Sequence, residues 1–294
     1  MMDMAKLLFG LNISPSVTSG PDPVAQARTA EDLGFDFVSA NDHVHGPDPR
    51  YEAWTMLSWI AAETSRIRVA TRVLGLPYRS PAVVAKMAET FDRLSKGRLI
   101  LGLGAGASDE EFRALGLEVR PPRDKVDGLE EAIRIIRGLW SGRSFTFEGR
   151  LYRTDRADVE PRPDHRIPIW LGTFGPRALG VTGRLADGWI PSFEMAPPDR
   201  VPEMRNRLLA AAREAAREPE DITMVYNIVI RVADAVDPRP FVVSGSPSAV
   251  AERLLGFVEI GFTAFNFILS GPDTNEQEER LAHEVIPAVR AGTV

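Results

Sequence analysis

The chain has 294 residues, 44% apolar and 26% charged, with 24 Gly, 23 Pro and no Cys. That composition is globular, and without cysteine there is no disulfide, thiolate chemistry or Cys-based zinc site. The 35 basic against 41 acidic residues leave a net charge of −6, which argues against a nucleic-acid or anionic-membrane surface.

The opening stretch MMDMAKLLFGLNISP lacks the basic flank, long apolar core and small-residue cleavage site of a signal peptide. No apolar run approaches the roughly 20 residues that span a bilayer, so a cytoplasmic protein is expected. Residues Lys6–Ile13 read as a short buried strand, and Asp22-Pro23 caps a helix that Gly34 stops. The same rhythm continues: strand Phe35–Ala40, helix Glu52–Thr64, strand Ile67–Leu74, helix from Ser80-Pro81 to Lys96-Gly97, strand Arg98–Leu103. After a further helix start near Ser108 comes an amphipathic helix, Asp124–Trp140. Strand Ile167–Gly172, a helix opened by Gly175-Pro176, strand Trp189–Pro191 and helix Pro202–Arg217 follow. Strand Ile222–Val232, a helix from Ser246-Pro247 to Gly261, strand Thr263–Leu269 and helix Asn275–Arg290 complete the chain. Strict alternation of eight strands and eight helices predicts a parallel sheet closed into one (β/α)8 barrel spanning 1–294. A doubly wound sheet is the competitor, but no GxGxxG follows the first strand. Two insertions, a hairpin within Ser141–Arg166 and a Pro-rich loop Asp234–Gly245, are expected as loop structure near a barrel mouth.

In such a barrel, function sits in the loops that follow the strands. The densest is Asn41-Asp42-His43-Val44-His45, which holds two of the four histidines. Imidazole titrates near neutral pH and suits proton transfer. The other two, His165 and His283, are poorly placed to complete a metal site, so no metal is expected. Gly104, Ala105 and Gly106 end the fourth strand and allow close approach to the backbone. Thr173-Phe174-Gly175 feeds a helix start, where free amides and the helix dipole suit an anion, and Arg177 would add charge. Arg79 and Arg231 are either functional or simple flanking charges, and the five tryptophans read as core or interface.

Three segments together resemble the bacterial luciferase-like monooxygenase and oxidoreductase superfamily: AEDLGFDFVSANDHV, TSRIRVATRVLGLPYRSPAVVAKMAETFDRLSKGRLILGLGAG and IPIWLGTFGPRALGVTGRLADGWIP. The resemblance covers essentially the whole chain. It implies a flavin-type cofactor at the C-terminal mouth, either FMN or the deazaflavin coenzyme F420, and the Asp-His string favours F420. By the same resemblance, Asp42 and His43 face the ring and serve the chemistry. A non-prolyl cis peptide joins Arg72 and Val73 against the ring. Gly104, Ala105 and Gly106 lie beside the cofactor, and the amides of Thr173, Phe174 and Gly175 hold its phosphate. The implied activity is F420-dependent hydride transfer to or from a small organic substrate. The alternatives are an FMN-dependent monooxygenase fed by a separate reductase and a non-catalytic flavin-binding protein. Sugar-phosphate dehydrogenases of this family carry a Glu and a Trp where this chain has Ala107-Ser108 and His45-Gly46-Pro47. That departure argues against glucose 6-phosphate as substrate. Relatives are commonly homodimers through helices of the second and third units, where Trp54, Met56 and Trp59 could form an apolar face.

Overall fold

The computed structural model describes residues 7–293, so Lys6 of the predicted first strand lies outside them. Eight strands run parallel: β1 (Leu8–Asn12), β2 (Phe37–Ala40), β3 (Arg68–Thr71), β4 (Leu99–Gly104), β5 (Ile169–Leu171), β6 (Gly188–Trp189), β7 (Thr223–Val232) and β8 (Ala264–Leu269). Each pairs with the next in chain order, and β8 pairs with β1 through Leu8↔Ala264 and Leu11↔Phe267. The sheet is therefore closed, a TIM barrel with helices around it.

Alternation along the strands separates two apolar layers. Phe37, Ala70, Ile100, Trp170, Ile190, Val225 and Ala264 fill the barrel interior, where the Phe37 and Trp170 rings meet edge to face at 5.4 Å. Gly10 leaves the space that the Phe37 ring occupies. Val38, Val69 and Leu101 point outward and join the layer under the helices.

The helices are α1 (Pro23–Asp32), α2 (Ala53–Glu63), α3 (Pro81–Leu94), α4 (Asp109–Ala114), α5 (Pro122–Ser141), α6 (Pro176–Leu185), α7 (Val201–Glu214), α8 (Pro247–Glu259), α9 (Thr274–Arg280) and α10 (Ile286–Gly292). Side-chain caps set several starts: Asp22 accepts the Ala25 amide at 2.9 Å, and Glu52 accepts those of Trp54 and Thr55 at 3.0 and 2.8 Å. Among the described residues, no helix is long and apolar enough to cross a membrane.

Four details differ from the sequence reading. The third strand breaks after Thr71, and Leu74–Gly75 resumes it against the end of β4. The last helix is not continuous: a π-helical turn, Leu281–Val285, separates α9 from α10, just before Pro287, which has no amide to continue the ladder. The 234–245 insertion is not all loop. Val242–Gly245 forms a strand parallel to the far end of β7, because β7 is ten residues long and outruns its short neighbour β6. Finally, Met56 is buried and Trp54 packs on Phe91 at 5.4 Å, so only Trp59 of the three expected residues stands out from α2.

The hairpin does form, from Phe145–Glu148 and Arg153–Ala157. It climbs the outside of α5, where Glu131 accepts the amides of Arg150, Leu151 and Tyr152 at its tip.

Candidate active site

The loops after β2, β3, β4 and β5 enclose a cavity of about 380 Å³ at the C-terminal mouth. Asp42, His43, Arg72, Val73, Gly104, Ala105, Gly106, Thr173, Phe174 and Gly175 all line it, so the structure brings every candidate residue together except Arg177. A larger groove, about 880 Å³, lies outside the barrel between α2, α3 and the hairpin. It is far from the strand ends where barrel chemistry sits.

One wall of the cavity is a backbone bulge. The Arg72–Val73 peptide is cis, and the Val73 side chain lies over β4 and β5. A Cβ on Gly104 would stand 2.6 Å from Val73 Cγ2, one on Gly172 would stand 3.4 Å from Cγ1, and one on Gly102 would collide with the Thr71 carbonyl. The strand-four glycines thus do permit a close approach, and what approaches is the chain's own bulge. Thr71 Oγ1 secures the crossing by donating to the Gly102 carbonyl at 2.7 Å.

Asp42 and His43 are neighbours with different surroundings. The Asp42 side chain is 0% exposed. Its carboxylate accepts the Gly75 amide at 2.9 Å and a forked pair of bonds from Arg79 at 2.7 and 3.2 Å. Arg79 also donates to Glu52 at 2.7 Å. Burial works against the Arg79 charge, but Asp42 and Glu52 more than offset it and raise its pKa. Arg79 is therefore neither a cofactor contact nor a loose flanking charge; it fixes Asp42, and Asp42 fixes the end of the bulge. His43 instead opens to the cavity and is 48% exposed. Its Nδ1 lies 3.0 Å from Glu111 Oε2.

Glu111, on α4, was not singled out by the sequence. It accepts the Val44 and His45 amides at 2.6 and 2.8 Å and bonds the Tyr78 hydroxyl. Burial raises its pKa, but the hydrogen bonds from His43, Tyr78 and His45 prevail and hold the carboxyl below the usual range. The same contact, with burial first, pushes the Tyr78 phenol well up. An ionised carboxylate only accepts, so His43 Nδ1 carries the proton and Nε2 is left free for a ligand. A sequence signal was present: Ser108-Asp109-Glu110-Glu111 has capping-box spacing. Ser108 Oγ does accept the Glu111 amide, at 3.3 Å, while the Glu side chain turns away from the helix start to the β2 loop.

The turn after β5 is held from behind. Trp189 Nε1 donates to the Thr173 carbonyl at 2.8 Å, and the Thr173 and Thr182 hydroxyls meet at 2.7 Å. No side chain caps α6, Pro176 occupies its first turn, and nothing crowds the position of a Gly175 Cβ. Its free first-turn amides form an anion-favouring terminus. Arg177 does not join them. It turns sideways onto Asp127 of α5 and the Arg123 carbonyl, where a carboxylate is at hand. Arg231 is likewise engaged, with Asp273 and the Ser270 carbonyl.

Residues 10–239 match the family described as luciferase-like monooxygenase. The chain belongs to that family. Among curated relatives, it is 30% identical to an F420-dependent glucose-6-phosphate dehydrogenase of Kineococcus radiotolerans, over 90% of this chain and 91% of that one. It is 28% identical to a 5,10-methylenetetrahydromethanopterin reductase of Methanolobus tindarius, over 84% of this chain and 74% of the relative. A solved structure of the same fold, an F420-dependent secondary alcohol dehydrogenase in complex with an F420-acetone adduct, superposes with a TM-score of 0.87 at 23% identity, covering 97% of this chain and 99% of that one.

Proposed function

We propose that this protein is a coenzyme F420-dependent oxidoreductase that moves hydride between the deazaflavin and a small organic substrate. The observation that carries the reading is His43, held by Glu111 with Nε2 free, in one cavity with the Arg72–Val73 bulge and the uncapped start of α6. The curated relatives named F420-dependent support it. The donor set suits the cofactor: amides at Thr173–Gly175 for its phosphate, and Val73, Ala105, Phe112 and Leu129 as apolar walls for its flat ring.

When bound, F420 supplies the hydride donor or acceptor. His43 Nε2 exchanges the proton that accompanies hydride transfer at a substrate oxygen or nitrogen. Glu111 holds His43 in the required tautomer. Asp42, through Gly75 and Arg79, keeps the bulge in place and acts as a positioning residue. Ala107 leaves the cavity without the carboxylate that the sugar-phosphate dehydrogenases carry there, so we take the substrate to be a compound other than glucose 6-phosphate. Titration of the purified protein with F420 and FMN is the test. The expected result is saturable F420 binding that weakens or loses turnover in His43→Ala. Tight FMN binding with none of F420 would sink the reading.

We also propose that two copies associate through the α2–α3 groove. Val83 and Leu94 stand 53% and 80% exposed in it, an apolar surface that calls for cover. Leu94→Glu should convert a dimer to a monomer in light scattering; an unchanged mass would remove this face from consideration.

A further inference from the structure

One charge in the cavity has no counterpart. His43 faces Glu111, Lys125 is paired with Asp109, and Asp42 with Arg79. Arg72 has only a neutral partner: Nε donates to Asn12 Oδ1 at 2.8 Å. No carboxylate among the described residues offsets its burial, which lowers its pKa to about 10. Arg72 lines the cavity and is only partly buried as a residue. A guanidinium enclosed by protein without an anion is costly, and its planar fork matches a carboxylate or phosphate.

The position is informative. Arg72 leaves the end of β3 and reaches Asn12 at the end of β1, passing over the end of β2, which lies between them. In a ring of eight strands β1 is opposite β5, so this guanidinium is across the mouth from the α6 terminus. An anion here is not the one held at Thr173–Gly175.

We propose that Arg72 binds an anionic group of the substrate, a carboxylate or phosphate, on the β1 side of the mouth and beside His43. The proposal rests on the F420 reading for the word substrate; the anion site itself does not. The substrate class is therefore a small acid or phosphorylated compound whose reducible or oxidisable carbon reaches the cavity centre while its anion is fixed at Arg72.

The test is calorimetric titration of acetate and of methylphosphonate into the wild type, Arg72→Gln and Arg72→Lys, each with and without F420. The preferred probe tells carboxylate from phosphate. At least one should saturate the wild type, weaken about tenfold or more in Arg72→Gln, and fall between in Arg72→Lys, which keeps the charge but not the fork. F420 affinity, read separately by deazaflavin fluorescence, should fall less than anion affinity, because the wall assigned to the ring is Val73 and not the Arg72 side chain. Absence of saturable anion binding to the wild type overturns the proposal. So does equal binding by Arg72→Gln, or a loss confined to F420 affinity. Should Arg72→Gln fail to fold, Arg72→Lys binding as tightly as the wild type overturns it instead. Failure of the wild type to bind F420 strikes the F420 reading alone, since the cofactor-free titrations still report on Arg72.

Discussion

The two members of the Asp-His pair divide their labour. Asp42→Asn keeps the shape but leaves Arg79, only 14% exposed, facing Glu52 alone. We expect a stability loss on the order of 3 kcal/mol in urea unfolding, with weaker F420 binding. A variant of wild-type stability with abolished turnover would return Asp42 to the chemistry. Glu111→Gln should lower kcat by about 100-fold while F420 affinity shifts by no more than about threefold; equal effects on both would reduce Glu111 to a scaffold. The sequence made His43 legible through its rarity and its place after a strand. It did not reveal Glu111, because capping-box spacing reads as helix initiation and the diversion of the side chain to Val44 and His45 is tertiary. Nor could it separate Asp42 from His43, since the Arg79 that decides the matter lies 37 positions away. Arg177 shows the same limit: its first-turn position invites an anion, and Asp127 on another helix takes it first.

At the level of elements, a strand glycine and a loop glycine make opposite demands. A Cβ at Gly102 would run into the Thr71 backbone, which cannot swing aside, whereas one at Gly175 meets nothing within 4 Å. Gly102→Ala should therefore cost about 3 kcal/mol and displace the bulge, while Gly175→Ala should stay within about 1 kcal/mol. Thermal unfolding of the pair checks this, and comparable losses would contradict the bulge account. Most element boundaries were readable because Pro and Gly mark them, as Pro81 and Gly97 do for α3. Val242–Gly245 was not, since its strand character comes from the unmatched length of β7. The interruption of the third strand was legible only through family resemblance, because RVATRVLG has the apolar content of an unbroken strand.

The whole barrel carries a pH dependence from a group that does not line the cavity. Glu278, fully buried between α9 and α1, is pushed up to about 7 by burial, against the opposing bond from Gln26. The folded state thus holds this proton more tightly than the unfolded chain, whose carboxyl titrates near 4.5. The stabilisation is full below that value, declines as pH rises toward 7, and is lost above, about 3 kcal/mol in all. Among the described residues, Gln26 Oε1 and Glu278 Oε2 lack partners, and an amide at 278 can donate to the former. Glu278→Gln should accordingly be more stable than wild type near pH 8, and the difference should vanish near pH 4; a difference that does not vary with pH would refute this. One link also joins distant parts of the molecule. Glu52 caps α2 and accepts a bond from Arg79, which immediately precedes Ser80 at the start of α3 and in turn bonds the Asp42 that holds the bulge. The helices that frame the outer groove are thus tied at their starts to the cavity wall. If a second copy seats on that groove, thermodynamic linkage makes the influence mutual: whatever factor F420 applies to self-association, self-association applies to F420 affinity. Measuring the dimer dissociation constant with and without cofactor turns that knot of three side chains into a coupling energy.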